Sequence, residues 1–321
     1  MRLDIVKRSI GQFQPAEKFV FFVTGILVVI DAALLLYKDN ATFDAPGYLI
    51  TFLAALATIA GGLYYRISGR SEPIASALIC TSAFIVMTAA ISLFNYLLLP
   101  LQYGTFDHVL VQWDAMFGYH WPSVMAWAAE HPLISDILGM AYMTSMVQLA
   151  LLVIILGMTA RTYDMHLLLV SVTITAAISI CFWGIFPTLG PTTVFELPDE
   201  VWASVEPLVN KGYGAYLNQL TVTGPGFLTP AEVRGLIAFP SYHAVMAFVA
   251  MYASRNVKIL GPALLALNLL ILPSIFIHGG HHFVDLPAGF VTFLIGTWLA
   301  KRYLAHFDTA EMAATGTTQP A

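Results

Sequence analysis

The sequence predicts an all-α, polytopic membrane helix bundle, and three observations carry that expectation. Of 321 residues, 58% are hydrophobic and only 10% are charged, against about 45–50% and 25% in a soluble domain. The apolar residues gather into about eight stretches, each near the roughly 20 residues that a bilayer-crossing helix needs. Lysine and arginine alternate loop by loop between the two sides that such a bundle would have. This composition excludes a soluble globular enzyme and a disordered chain. With 14 Lys+Arg against 19 Asp+Glu, no basic surface awaits a nucleic acid.

Taken in order, the expected spans are 19–37, 48–65, 74–99, 137–159, 167–186, 242–254, 259–277 and 283–300. They should be helices, because no other single segment satisfies its own backbone groups in lipid. The first follows an 18-residue polar start and precedes no small-residue cleavage site, so it reads as a retained helix rather than a signal peptide. With the N-terminus in the cytoplasm, eleven cations fall inside: Arg2, Lys7, Arg8, Lys18, Arg66, Arg70, Arg161, Arg255, Lys258, Lys301 and Arg302. Only Lys38, Lys211 and Arg234 fall outside. That split favours eight spans, both termini cytoplasmic, in a bacterial inner or cell membrane. Residues 1–306 form one integral-membrane domain, and the polar tail 307–321 is expected to be disordered.

Two outer loops are long. Residues 100–136 carry Trp113, Trp121 and Trp127 with Asp107, Asp114 and Glu130, and read as an amphipathic segment lying at the interface. Residues 187–239, rich in Gly, Pro and Thr, read as a partly ordered lid. Cys80 and Cys181 lie in apolar runs and read as small buried hydrophobes, with no disulfide framework or thiolate metal site.

The chemistry should lie at the outer ends of the sixth and eighth spans. His108, His120 and His131 read as interfacial anchors. His243 follows Phe-Pro-Ser-Tyr, and His278, His281 and His282 precede Asp285 in His-Gly-Gly-His-His-Phe-Val-Asp. An acid inside a span is costly and marks a functional candidate. Gly279 and Gly280 permit a tight turn and close approach to a ligand. Pro240 and Pro287 suit the first turns of the two helices. Two helix N-termini flanked by His and Asp would suit a phosphate.

Pro240-Ser241-Tyr242-His243 and His281-x-x-x-Asp285-x-x-x-Gly289 resemble the Pro-Ser-x-His and His-x-x-x-Asp-x-x-x-Gly motifs of the phosphatidic acid phosphatase type 2 superfamily. The double histidine, the Phe186-Pro187 element and, more weakly, Asp107…Asp114…Phe117-Gly118 look most like its inositolphosphotransferase branch, which includes the inositol phosphorylceramide synthases. The resemblance covers about residues 100–300. It implies that His281 attacks phosphorus and forms a phosphohistidine, that Asp285 orients His281, and that His243 protonates the leaving alkoxide. Ser241, Gly280 and the helix amides would hold phosphoryl oxygens, without a metal or other cofactor. The substrate would be a lipid phosphate or phospholipid within the surrounding membrane lipids.

The chain departs from the superfamily pattern. Ile275 stands where an arginine precedes the last histidine, and no outer Lys/Arg-x6-Arg-Pro occurs. Arg234 and His278 are the candidate replacements at the phosphate, with Lys211 behind them. His282 reads as a packing residue beside the site. Tyr142, Ser145 and Gln148 form a polar stripe that reads as helix–helix hydrogen bonding. Hydrolysis, with water as acceptor, is the alternative to transfer. A histidine-cluster metal protein and a transporter are remoter alternatives. Metal content would test the first, and accumulation in sealed vesicles the second.

Overall fold

The computed structural model describes residues 12–38, 41–230 and 234–315, with side chains described to residue 307. The fold is all-α. Thirteen helices account for most of the described chain. They are α1 (Pro15–Tyr37), α2 (Ala45–Ile67), α3 (Glu72–Leu97), α4 (Asp107–Met116), α5 (Trp121–Glu130), α6 (Pro132–Met143), α7 (Ser145–Met158), α8 (Thr162–Ile185), α9 (Asp199–Val205), α10 (Lys211–Thr223), α11 (Tyr242–Ser254), α12 (Leu260–Ile277) and α13 (Asp285–Thr315). Each of the eight expected spans has a helical counterpart. By length and composition α1, α2, α3, α8 and α12 are each sufficient to cross a membrane, and α6 with α7 makes a bent sixth.

Helix starts follow local chemistry. Asp44 caps α2 by accepting from the Gly47 amide at 3.0 Å, and Ser71 caps α3 through Ile74. Pro15 and Pro132 stand in the first turns of α1 and α6, where a missing N–H costs nothing. The fourth expected span is not continuous. The hydroxyls of Thr144 and Ser145 bond back to the Ala141 and Tyr142 carbonyls, each at 2.6 Å, where the axis turns by 44°. Side chains that compete for ladder carbonyls bend a helix in this way.

Helix α3 gathers α1, α2, α7 and α8, and α11 gathers α7, α8, α12 and α13. Small residues allow the close approaches. A Cβ on Gly157 of α7 would sit 2.7 Å from the Ala77 Cα of α3, and one on Gly289 of α13 would sit 2.6 Å from the Ser241 carbonyl. At one end of the bundle Arg66 bridges Glu17 at 2.7 Å and Glu72 at 2.6 Å, joining α1, α2 and α3. At the other end lie the long loops. There a two-stranded parallel ladder pairs β1 (Ala41–Phe43) with β2 (Gly226–Leu228), which the sequence did not suggest.

Several expectations change. Residues 100–136 do form two short helices, but Trp121 is buried and its indole donates to the Phe276 carbonyl at 2.8 Å, so it is a core anchor and not an interfacial one. Asp107 and Asp114 are buried as well. Cys80 is buried, but Cys181 is exposed on the helix surface. Helix α13 runs on to Thr315, beyond the point where a tail was expected, and the rest of that tail lies outside the described residues.

Candidate active site

The sixth expected span is short: 13 residues from Tyr242 to Ser254, about 20 Å at 1.5 Å per residue. Ser241 is its N-cap, with Oγ accepting from the Ala244 amide at 3.3 Å. Pro240 therefore precedes the cap instead of standing in the first turn, because the Ser241 side chain closes the helix one residue later. The Ser241 amide donates to the Asp285 carbonyl at 3.1 Å, so the N-termini of α11 and α13 meet. Gly289 makes that meeting sterically possible: its missing Cβ would fall against Ser241 and Ala244.

His281 and Asp285 lie one helical turn apart around the start of α13. The His281 Nδ1–H donates to Asp285 Oδ2 at 2.9 Å, and the same oxygen accepts from the His282 amide at 2.8 Å. This fixes the tautomer and leaves the His281 Nε2 lone pair directed away from the carboxylate. Nε2 lies 3.3 Å from Ser241 Oγ. The Tyr119 hydroxyl donates to the His281 carbonyl at 3.2 Å, which holds the turn from the loop side. Gly280 takes φ +57°, and the Gly190 backbone comes so near its carbonyl that no side chain fits between them.

His243 faces His281 across the gap, with ring centroids 6.1 Å apart. Its ring stacks on Tyr142 at 4.4 Å, and Nδ1 lies 3.2 Å from the Tyr142 hydroxyl. A tyrosine hydroxyl can donate to a neutral imidazole or accept from a protonated one. His243 can therefore change protonation state without losing this partner. The polar stripe thus divides. Gln148 pairs reciprocally with Asn268 of α12 at 2.8 and 2.9 Å, as expected of a helix–helix contact. Tyr142 instead belongs to the site.

Two cavities meet at His243 and Arg234. One, of about 370 Å³, lies under the loops and is lined by Tyr142, Val209, Tyr213, Arg234, His243 and His281. The other, of about 200 Å³, runs between α3, α7, α8 and α11 and is lined mainly by apolar side chains, among them Phe84, Met87, Leu149 and Ile180. Arg234 is exposed, its amide donates to the Tyr96 hydroxyl at 2.9 Å, and its guanidinium sits over the Tyr213 ring at 5.6 Å. Among the described residues it is the one Lys or Arg that lines both cavities. Lys211 pairs instead with Asp199 on the surface, at 3.0 Å.

His278 is not brought into either cavity. Its Nε2 lies 2.8 Å from the Ser135 carbonyl and its ring lies where a side chain on Gly139 would be, which ties the end of α12 to α6. Burial holds its ring below the usual imidazole range, although the Ser135 bond opposes this. The expected phosphate ligand is thus a strut between helices.

His282 is the residue that sequence reasoning undervalued. It is fully buried, with Nδ1 2.8 Å from Asp114 Oδ2 and Nε2 3.5 Å from Asp107 Oδ1. Burial alone would lower its pKa, but the two carboxylates outweigh that and push it up to about 9. Asp107 also accepts from the Leu189 and Gly190 amides at 3.0 and 2.7 Å, and Asp114 from the Val284 amide at 3.3 Å. The trio clamps α4, the loop after α8 and the start of α13 into one piece. The available signal was the spacing. Asp107 and Asp114 are seven apart, two turns along one face of α4.

A carboxylate-oriented histidine, a second histidine opposite it and an N-capping serine at two joined helix ends match the two motifs read from the sequence. The model of the PAP2 superfamily matches residues 108–299, more than half of the chain. The chain belongs to the PAP2 superfamily. Neither a curated protein nor a solved structure matches it. The matched segment runs from α4 into α13 and contains Tyr142, Arg234, Ser241, His243, His281, His282 and Asp285; Asp107 lies one residue before it. PAP2 membership is that of phosphatases and phosphotransferases, which supports an enzyme acting on lipid phosphates.

Proposed function

We propose that this PAP2 protein transfers a phosphoryl or phosphoryl-alcohol group from a membrane lipid, through a phosphohistidine on His281. The observation that carries the reading is the position of His243 and Arg234 on the wall shared by the loop-side cavity, which His281 also lines, and the apolar cavity between the helices. A lipid phosphate needs that arrangement: chain in the hydrocarbon slot, phosphorus between the histidines, head group under the loops. The Nε2 lone pair of His281 forms the P–N bond while the bond from phosphorus to the leaving oxygen breaks. His243 gives that oxygen its proton. In the second half an acceptor alcohol, or water, returns a proton to His243 and attacks phosphorus, and the P–N bond breaks. Asp285 stabilises the imidazolium character of His281 throughout. Arg234, Ser241, the Gly280 backbone and the first amides of α11 would carry the phosphoryl oxygens.

The loop-side cavity has room for a small polyol, since ligand pockets begin near 300 Å³. This supports head-group transfer, of which phosphoinositol transfer is the case the inositolphosphotransferase resemblance suggests. Hydrolysis uses the same machinery with water as acceptor. The cation distribution supports cytoplasmic termini and an extracytoplasmic site. The test is incubation with labelled phosphatidic acid, phosphatidylinositol and other phospholipids, with inositol, glycerol or ceramide present or absent. New acceptor-dependent lipids support transfer, and released phosphate alone supports hydrolysis. No turnover of any lipid, by protein whose fold is intact, would overturn both.

A further inference from the structure

Helices α1 and α2 each pack along α3 but hardly touch one another. Between them lies a cleft of about 540 Å³, lined by hydrocarbon from Val28, Leu35, Phe52, Leu56 and Val86. It sits on the opposite face of α3 from the apolar cavity of the active site: Val86, Ala90 and Leu93 face it, whereas Met87, Ile91 and Asn95 face the other. It also lies outside the segment that matches the superfamily.

Three oxygen-bearing side chains line this cleft without a hydrogen-bond partner among the described residues. Asp31 is 3% exposed and both its carboxyl oxygens are unpaired; the Thr24 and Tyr48 hydroxyls are unpaired too. Thr24 and Asp31 are seven apart on α1, with Val28 and Leu35 on the same stripe. Polar groups left unsatisfied in a hydrocarbon setting are strongly disfavoured. Such a cluster is therefore expected to have a ligand.

We propose that this cleft binds an uncharged lipid alcohol, an apolar chain or pair of chains ending in hydroxyl. Among the described residues no lysine or arginine lines the cleft, and an anionic head group would meet Asp31, so a lipid phosphate is disfavoured. An ammonium group only donates, and would leave the Thr24 and Tyr48 O–H donors without acceptors. A hydroxyl both donates and accepts, so it can serve the carboxyl and one hydroxyl together. The choice of a lipid alcohol as ligand rests on the proposed reaction, in which removal of a phosphoryl group leaves one and transfer to a lipid acceptor consumes one.

The experiment is photolabelling of the full chain in lipid nanodiscs with a diazirine diacylglycerol, with mapping of labelled peptides. Label is expected in α1 and α2, retained in Asp31→Asn and lowered about tenfold in Asp31→Leu, the loss of roughly one hydrogen bond in apolar surroundings. Asp31→Leu removes an unpaired buried acid, so it should fold at least as well as the parent. Thr24→Val should give a smaller loss. Equal labelling of the parent and Asp31→Leu overturns the proposal. So does competition by a long-chain amine that Asp31→Asn abolishes, since that outcome marks a cation site. Lipid-phosphate turnover is measured on the same samples. Normal turnover with Asp31-insensitive labelling sinks this inference alone, whereas absent turnover sinks the proposed reaction whatever the label shows.

Discussion

His281 and His282 are neighbours in sequence, both buried and both held by carboxylates, yet their surroundings suit them to opposite tasks. Asp285 takes one nitrogen of His281 and leaves the other facing a cavity. Asp114 and Asp107 flank both nitrogens of His282, which lines neither of the two cavities at the site. One carboxylate orients a lone pair for attack. Two carboxylates hold a cation, and a protonated imidazole has no lone pair to give. What separates a proposed nucleophile from a structural clamp is whether a nitrogen faces a cavity and how many carboxylates stand beside the ring, not the presence of an acid beside a histidine.

The sharpest way to break this contrast is His281→Ala. Turnover of a lipid phosphate should fall by at least roughly 10³–10⁴-fold with the fold retained. Asp285→Asn should come next, with a loss of about 10²–10⁴-fold, because the amide can still orient the ring but does not stabilise its charge. His243→Ala should slow release of a poor leaving group by about 10²–10⁴-fold and spare an aryl phosphate, whose leaving group needs no acid. Equal loss on both substrates would make His243 a binding residue.

His282 should behave differently. Asp114→Asn or His282→Ala removes one partner of a buried charge pair, which costs about 3–5 kcal/mol of stability. Activity should be lost by thermal inactivation and regained at low temperature. The pH dependence has a definite sign. The folded-state pKa of about 9 lies above the ordinary 6.5, so this contribution is complete below about 6.5 and disappears as pH rises through 9. Thermal inactivation of the parent should therefore accelerate between pH 7 and 10 more than that of His282→Ala. The smallest effect is expected at Arg234→Gln, a rise in KM of roughly tenfold with kcat little changed, as for one charge-assisted phosphate contact.

The contrast also marks how far the sequence could be read. The apolar helices, and the meeting of His243 with His281 and Asp285, are legible because hydropathy and motif spacing are local properties of the chain. The break at Thr144 was hidden, since a threonine hydroxyl bends a helix only where its geometry lets it reach back to a carbonyl. His278 misled because a histidine beside a motif does not reveal which way its ring turns, and here Ser135 and Gly139 receive it. Tyr142 reads from the sequence as a packing residue, and it stacks on His243 just before the bend between α6 and α7. The Asp107–His282–Asp114 clamp joins groups about 170 positions apart, a distance that no local pattern spans.

The central claim is that phosphorus is carried by His281 and by neither of the histidines beside or opposite it. Its most direct test is rapid acid-free quenching during turnover of ³²P-labelled phosphatidic acid, followed by peptide mapping of the labelled protein. The account predicts an acid-labile label on the peptide holding His281, retained when His282 is replaced and absent from His281→Ala. Label on His282 or His243, or full turnover by His281→Ala, would contradict it.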